Sequence, residues 1–253
     1  MLAIGLLEGD TVLVHSAMGK MGYVCGGAQA VIEALENVLT DSGTLVIPAH
    51  SGVLSDPATW NSPPVPQEWW QPMKETMPPF RCDLTPTYLM GTVAETFRKQ
   101  NGVRRSNHPY VSFAALGPKS AFILDNHGLD FSLGENSPLA RLYELDSKVL
   151  LLGVGHANNT SLHLAEYRSE RPDKKIIKSG APVLVNGIRE WIEFNELEFD
   201  DTDFMQIGAD FEADLLCATI KKIGMAESRL MPMRILVDFA TSWMECNRTN
   251  SEE

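Results

Sequence analysis

The sequence predicts an α/β fold: a single domain built on a central mixed, partly parallel sheet flanked by helices. A strand, a glycine-rich loop, a helix and a second strand follow one another between residues 11 and 48. This is the order of a βαβ unit, whose two strands are parallel. The segment KVLLLGV at 148–154 indicates a further buried strand. The 253 residues suffice for one large hydrophobic core, so we expect one domain over residues 1–253.

Apolar spacing and turn residues bound the elements along the chain. Buried strands are predicted at 11–15 and 44–48, and the helix between them, at 28–39, stops at Asp41-Ser42-Gly43. The pair Asn186-Gly187 between strand-like segments at 176–184 and 187–194 indicates an antiparallel hairpin towards the C-terminus. The remaining predicted elements are a strand at 111–116 and helices at 87–100, 139–144, 160–168, 209–223 and 231–247.

Residues 51–86 differ in composition from the rest of the chain. The segment is rich in proline and carries Trp60, Trp69 and Trp70. It has too many prolines for regular strands or long helices, and too many aromatic side chains for a flexible linker. Because long loops in compact domains usually serve as lids or binding loops, we predict an ordered, lid-like excursion here.

The overall charge favours a small cationic partner. Lysine and arginine number 21 against 33 aspartates and glutamates, which gives a net charge of −12. Such a surface repels nucleic acid and anionic membranes, although many cytosolic enzymes are simply acidic. There is no apolar run of membrane-spanning length and no basic start of a signal peptide, so we expect a cytoplasmic protein.

The four cysteines form no C-x-x-C pair, which argues against a zinc knuckle or a disulfide framework. We therefore expect no metal site. Cys25, in the glycine-rich loop, is a candidate nucleophile, and a thiol that packs as a small apolar side chain is the alternative.

The glycine-rich loop after the first strand is a candidate phosphate site. It runs from His15 to Gly27 and leads into a helix whose first N–H groups have no helical partners. Glycines allow a close approach of the backbone to a ligand, and Lys20 and Ser16 add a charge and a hydroxyl. The pattern is neither a P-loop nor a dinucleotide fingerprint, and a merely tight turn is the alternative.

A histidine and a glutamate stand one helical turn apart after the strand at 148–154. His163 and Glu166 lie at positions i and i+3, so they share one helix face. A neutral imidazole near a helix N-terminus can act as a general base, and a carboxylate can fix its tautomer. The alternative is an ordinary helix with a satisfied histidine and a solvent-facing glutamate. His156, in the preceding loop, is a competing base.

A basic turn, Arg104-Arg105-Ser106-Asn107-His108-Pro109, stands out in so acidic a chain. Guanidinium groups match phosphate oxygens in pairs, so the turn is a candidate second phosphate clamp. A solvated turn is the alternative.

These segments together resemble the aminoglycoside 3-N-acetyltransferases, also called antibiotic N-acetyltransferases. The resemblance covers about residues 9 to 245. It is carried by VLVHSAMGKMGYVCGGAQAVIEAL at 12–35, GTLVIPAHS at 43–51, RRSNHPYVSFAALG at 104–117, GENSPLARLYELDSKVLLLGVG at 134–155 and NNTSLHLAEYR at 158–168.

The resemblance implies an enzyme that moves an acetyl group from acetyl-CoA to the 3-amino group of an aminoglycoside and so confers antibiotic resistance. His163 and Glu166 match the catalytic positions of the family, with His163 as general base in a ternary complex. The implied cofactor-binding residues are His15, Ser16, Ala17, Gly19, Lys20, Gly22, Val24, Gly26, Gly27, Arg105, Ser106 and Ser112. Candidate carboxylates for a cationic amino sugar are Asp83, Glu135 and Glu212. We expect a monomer or a homodimer.

Other functions stay open on the sequence alone. The acceptor can be another amino sugar or small amine. A metal-assisted hydrolase would use His15, His156, His163 and Glu166, although no H-E-x-x-H motif is present. A third alternative is a module that binds CoA or an antibiotic without turnover.

Overall fold

A mixed sheet with helices on both faces forms the centre of the molecule. The computed structural model describes residues 1–60, 63–215 and 217–248. In chain order its elements are β1 (Thr11–Ser16), α1 (Gly27–Leu39), β2 (Thr44–Pro48), α2 (Gln67–Thr76), α3 (Gly91–Phe97), β3 (Arg104–Arg105), β4 (Phe113–Leu116), α4 (Ser120–Leu124), α5 (Pro138–Glu144), β5 (Lys148–Leu152), α6 (Ser161–Arg168), β6 (Ile176–Val185), β7 (Ile188–Leu197), α7 (Phe204–Leu215), β8 (Thr219–Ile223), β9 (Ala226–Pro232) and α8 (Met233–Asn247).

The main sheet has seven strands in the order β3-β4-β2-β1-β5-β9-β8. Strand β1 is parallel to both β2 and β5, and the other neighbours are antiparallel. Strands β6 and β7 form a separate antiparallel hairpin around Asn186-Gly187. The predicted fold class, with its partly parallel sheet and C-terminal hairpin, is confirmed.

Alternate residues of the central strands face opposite layers of helices, because successive side chains of a strand point to opposite faces. Val12 and Val14 pack with the apolar side of α1 in one cluster. Leu13 packs with α6 and α8 in the other. Helices α1 and α6 therefore cover opposite faces of the sheet.

The chain leaves β1 towards β2 on one side, while β5 lies on the other side of β1. The loops that follow β1 and β5 thus diverge from neighbouring carboxyl ends. Open α/β sheets bind ligands in the crevice at such a switch point. The glycine-rich loop and the start of α6 both lie at this edge.

The excursion at 51–86 is ordered in the part that the structure describes. Two short 3₁₀ turns, Gly52–Leu54 and Pro57–Thr59, precede α2, and Pro72 lies inside this ten-residue helix. The segment was predicted to hold no long helix, and α2 is its longest element. A small apolar cluster of its own joins the excursion to Trp191 of β7. The excursion and the hairpin thus pack as a pair.

Three elements predicted from the sequence differ from the structure, because of strand pairing in two cases and of backbone angles in the third. The helix predicted at 209–223 ends as α7, and its last third is β8, an edge strand that pairs with β9 around Gly224. The helix predicted at 87–100 shrinks to α3, because Leu89 and Gly91 have positive φ angles of 58° and 82°. The predicted basic turn contains β3, which pairs with β4.

Candidate active site

Helix α6 presents a histidine and a carboxylate on one face, directly after β5. His163 Nδ1 lies 2.6 Å from Glu166 Oε2. The carboxylate side chain is fully buried, whereas 16% of the imidazole side chain is exposed. An Nδ1–H that donates to Glu166 leaves the Nε2 lone pair as a proton acceptor. The structure thus brings the predicted pair into contact in the geometry of a general base, and its catalytic role stays a prediction.

The residues from the end of β7 to the start of α7 cover this pair. The ring of Phe199 lies 4.7 Å from that of His163 and the ring of Phe204 lies 4.9 Å away, measured between centroids. The main-chain N–H of Asp200 donates to Glu166 Oε1 at 3.0 Å. These contacts fix both the plane of the imidazole and the position of the carboxylate.

His15, at the end of β1, holds the start of α6. Its Nε2 accepts a hydrogen bond from the Thr160 N–H at 3.1 Å and lies 3.0 Å from the Thr160 hydroxyl oxygen. Burial, and secondly the proximity of His163, lowers the pKa of His15 to about 3. The ring is therefore neutral near pH 7, with its proton on Nδ1. In the structure His15 ties β1 to α6, the helix that carries the His163–Glu166 dyad, and its predicted contact with a cofactor stays a prediction.

A pocket of about 80 Å³ opens at this edge of the sheet, next to His15 and Thr160. Residues that end β1 and β2 line it, together with Leu89 and Met90 before α3. Leu89 is 83% exposed and holds a left-handed backbone conformation. Strain of this kind is often found at functional sites, because the surrounding structure must maintain it.

The glycine-rich loop follows β1 along the same edge. It makes a 3₁₀ turn at Met18–Lys20 and then reaches α1, whose N-cap is Gly26 without any capping side chain. Gly22 has a φ of 78°, and a side chain there would meet the sulfur of Met225. The predicted contacts of Ser16, Ala17, Gly19, Lys20, Gly22, Val24, Gly26 and Gly27 with a cofactor stay predictions.

Arg105 is engaged inside the protein. Its guanidinium donates to the carbonyl oxygens of Ala49 and Thr85, both at 2.5 Å, and to the Ser112 hydroxyl at 2.9 Å. Burial lowers the pKa of Arg105 to about 10. The side chain links β3 to the excursion. These contacts give Arg105 a structural role, and its predicted role in a phosphate clamp stays a prediction.

Ser106 and Ser112 are also buried in main-chain contacts. The Ser106 hydroxyl accepts from the Phe113 N–H at 2.9 Å, and the Ser112 hydroxyl donates to the Ala49 carbonyl at 2.8 Å. Neither is more than 2% exposed. Both residues connect β4 to its neighbours, and their predicted cofactor contacts stay predictions.

Each predicted substrate carboxylate is paired with a cation of the chain. The pairs are Asp83 with Arg81, Glu135 with Arg168 and Glu212 with Arg229, each at 2.7 Å. They lie on different elements, and no contact in the described part of the chain joins them to the dyad. Their role as substrate ligands stays a prediction.

His156, the competing base, forms a second histidine–carboxylate pair. Its Nε2 lies 2.8 Å from Glu212 Oε1, and the residue is only 3% exposed. Its ring packs so closely on Gly208 of α7 that a side chain at this glycine would overlap it. Burial lowers its pKa. A ring covered by a helix is less accessible to a ligand than that of His163.

Sequence reasoning missed the acidic segment that follows β7. Asp200 and Asp201 are exposed and stand next to Phe199, which contacts the dyad ring. The run EFDDTD at 198–203 is the signal that could have found them.

Within residues 1–60, 63–215 and 217–248, no group of three or more histidine, cysteine, aspartate or glutamate side chains is arranged to hold a metal ion. No helix in the same ranges has the length and apolar character of a membrane span. Cys25 is exposed in the glycine-rich loop.

Known proteins share both the sequence and the fold. A profile of the family described as aminoglycoside 3-N-acetyltransferase matches residues 13–245. The SPbeta prophage-derived aminoglycoside N(3')-acetyltransferase-like protein YokD of Bacillus subtilis (strain 168) is 48% identical over 242 residues, which cover 95% of this chain and 88% of YokD. The YokD crystal structure matches with a TM-score of 0.95 and 47% identity, over 99% of this chain and 92% of that one.

Two solved complexes are also similar to this chain. A binary complex of AAC-IIIb with CoASH matches with a TM-score of 0.87 and 30% identity, over 100% of this chain and 95% of AAC-IIIb. A variant of the aminoglycoside acetyltransferase AAC(3)-IVa in complex with a gentamicin matches with a TM-score of 0.81 and 29% identity, over 98% and 86% of the two chains.

We expect Arg105→Ala to lower the free energy of unfolding by about 2–4 kcal/mol, because several buried acceptors lose their donor together. Lys20→Ala, on the exposed loop, should change it by less than about 0.5 kcal/mol and should instead weaken acetyl-CoA binding in a salt-dependent manner. Urea unfolding and calorimetric titration measure the two effects. Weaker acetyl-CoA binding by Arg105→Ala at an unchanged free energy of unfolding would instead support the phosphate-clamp interpretation.

The low pKa of His15 has a consequence for acid stability. Between pH 6.5 and about 3 the unfolded chain binds a proton at His15 that the folded chain does not, so stability is lost as the pH falls. We expect His15→Asn to reduce the slope of unfolding free energy against pH, between pH 6 and 5, by up to about 1.4 kcal/mol per unit. Thr160→Val, which removes only the hydroxyl partner, should keep the wild-type slope. Equal slopes in His15→Asn and the wild type would contradict this account.

Proposed function

The chain belongs to the aminoglycoside 3-N-acetyltransferase family of acyltransferases, and we propose that it transfers the acetyl group of acetyl-CoA to an amine of an amino sugar. The single observation that carries the proposal is the buried Glu166 paired with a partly exposed His163 at the switch point of the sheet. The complex of a relative with CoASH supports acetyl-CoA as the donor. The family supports the 3-amino group of an aminoglycoside as the acceptor and antibiotic resistance as the outcome.

His163 is proposed as the general base. An amine is protonated at neutral pH and becomes a nucleophile only after it loses a proton. The Nε2 of His163 accepts that proton, directly or through a water molecule, while Glu166 holds Nδ1–H and stabilises the imidazolium. The amine nitrogen then forms a bond to the acetyl carbon, the C–S bond breaks, and the sulfur leaves as the thiolate, which takes up a proton. Both substrates bind together, so no acyl-enzyme is required.

The acetyl-CoA side of the site is proposed to be the loop from Ser16 to Gly27. Helix α1 begins there without a capping side chain. The Gly27 N–H donates to the Val24 carbonyl, and the next N–H groups of the first turn, with the positive end of the helix dipole, are proposed to face a ligand. Lys20 is exposed in the same loop. Main-chain N–H groups of this loop are the proposed donors to the oxyanion of the tetrahedral intermediate.

The amino-sugar side is proposed to include the acidic segment at 198–203. It places the exposed carboxylates of Asp200 and Asp201 beside the ring that contacts His163. A gentamicin is the compound bound by the related AAC(3)-IVa variant, and aminoglycosides are polycations. The net charge of −12 favours the approach of such a substrate. We infer that the excursion at 51–86, packed on the hairpin, is the lid of this site.

The proposal is tested by thiol release from acetyl-CoA with a panel of aminoglycosides, simpler amino sugars and small amines, with and without a chelator. We expect amine-dependent thiol release that the chelator leaves unchanged. Hydrolysis that stops with chelator would support a metal-dependent hydrolase, and binding without thiol release would support a sequestering protein.

We expect His163→Ala or His163→Gln to lower kcat by about 10² to 10⁴, the usual contribution of a positioned general base. The loss should appear in kcat more than in the KM for the amine, because the proton leaves as the bond forms. Acetyl-CoA affinity should stay nearly unchanged. Glu166→Gln should lower kcat less, since it removes the group that orients the base.

The matched control is His156→Gln, which breaks the other histidine–carboxylate pair of the chain. Steady-state rates of these variants and of the wild type between pH 6 and 9 decide the assignment. Wild-type kcat in His163→Ala, together with a large loss in His156→Gln, would transfer the role of base to His156.

A further inference from the structure

A guanidinium lies against the side of Glu166 that His163 does not use. Arg248 follows α8 and is 6% exposed, and its Nη1 donates to Glu166 Oε1 at 2.9 Å. The other carboxylate oxygen, Oε2, is the one that contacts His163. The carboxylate therefore lies between a permanent cation and a titratable ring. The family profile ends at residue 245, so Arg248 lies outside the matched segment.

Arg248 is fixed by a second carboxylate. Its Nε donates to Asp203 Oδ2 at 2.7 Å, and its Nη2 donates to Asp203 Oδ1 and, at 2.7 Å, to the Asp200 carbonyl. Burial lowers the pKa of Arg248, but the hydrogen bonds with Asp203 and Glu166 outweigh it and the net shift is upward. The residue thus stays charged and connects the end of α8 to α6 and to the acidic segment.

Other charged groups face the pair from neighbouring elements. Arg171, after α6, places Nη2 at 3.9 Å from Glu166 Oε1, and its side chain is 4% exposed. His15 at the end of β1 and His50 after β2 both interact electrostatically with His163. The carboxylate of Asp200 lies on the solvent side.

We propose that Arg248 is a positioning residue that holds Glu166 against His163 and, by its charge, limits how tightly His163 keeps a proton. The inference rests on the proposed role of the pair in catalysis. A base must release the proton that it takes from the amine in every cycle. Glu166 alone would stabilise the imidazolium strongly, because a fully buried carboxylate has no solvent to neutralise it. A guanidinium on the opposite oxygen offsets part of that attraction.

The proposal predicts the direction in which the titration of His163 shifts when Arg248 is replaced, and this shift can be measured on the imidazole ring itself. In Arg248→Met the charge of Glu166 acts on His163 without the compensating cation, so the ring should hold its proton to higher pH. We expect the midpoint of the His163 titration, followed by NMR of the labelled imidazole, to rise by about one pH unit, the usual effect of removing a nearby charge. His163→Gln identifies the signal. Arg248→Lys keeps the charge and should restore most of the midpoint.

Asp203→Asn provides a control of opposite sign. It leaves Arg248 and Glu166 in place but removes the carboxylate that offsets the guanidinium. The midpoint of His163 should therefore move to lower pH. A simple loss of order in the network would not raise the midpoint in Arg248→Met and lower it in Asp203→Asn.

Activity gives a second readout. For one amine acceptor, the ratio of kcat/KM in Arg248→Met to that of the wild type should rise about tenfold from pH 6 to pH 8.5, in line with a midpoint shift of about one unit. The titration of the amine is common to both proteins and cancels in the ratio. A merely structural role would give a loss that does not change with pH.

Unchanged His163 midpoints in both Arg248→Met and Asp203→Asn would overturn the inference. If Arg248→Met fails to fold, as thermal unfolding would show, the other two variants decide. The midpoint should fall in Asp203→Asn and stay near the wild-type value in Arg248→Lys, and a midpoint that Asp203→Asn leaves in place counts against the inference. The expected midpoint shifts in a protein that releases no thiol with any amine would uphold the charge arrangement and reject the proposed function instead.

Discussion

A single imidazole ties together the two chain segments that leave β1 and β5. His15 is the last residue but one of β1, and its ring accepts a hydrogen bond from the N–H of Thr160, where α6 begins. The contact requires a neutral ring, because a protonated Nε2 cannot accept. Desolvation by the surrounding core keeps it neutral. Strands β1 and β5 are parallel neighbours, and this hydrogen bond connects the end of one to the helix that follows the other.

The position of α6 buries the carboxylate of Glu166, whose charge must be compensated by neighbouring groups. Glu166 has no solvent contact, so its oxygens are satisfied by His163, by the Asp200 N–H and by Arg248. These partners come from α6 itself, from the segment before α7 and from the end of the chain. An uncompensated carboxylate at this depth would cost several kcal/mol, so the surrounding elements are held in one arrangement. The geometry of the dyad is thus a property of the whole helical layer.

Local patterns predicted the fold class, the first βαβ unit, β5, the hairpin and the His163–Glu166 pair, because spacing along the chain determines each of them. Partners that are distant in sequence were not predictable. Arg248 and Glu166 are 82 residues apart. The internal acceptors of Arg105, among them Ala49 and Thr85, are main-chain carbonyl oxygens, which no side-chain pattern reveals. Strand β8 exists through its pairing with β9, which overrides the helical spacing before it.

The small apolar cluster that joins the excursion to the hairpin is separate from the two large clusters that flank the sheet. Elements that share few apolar contacts with the main core open at a lower free energy than the core itself. We therefore expect amide hydrogens of α2, which has no buried residue of its own, to exchange with solvent through local openings that leave β1, β5 and α6 protected. For the proposed lid, such openings would let a bulky ligand pass while the His163–Glu166 pair, held by the main core, keeps its geometry.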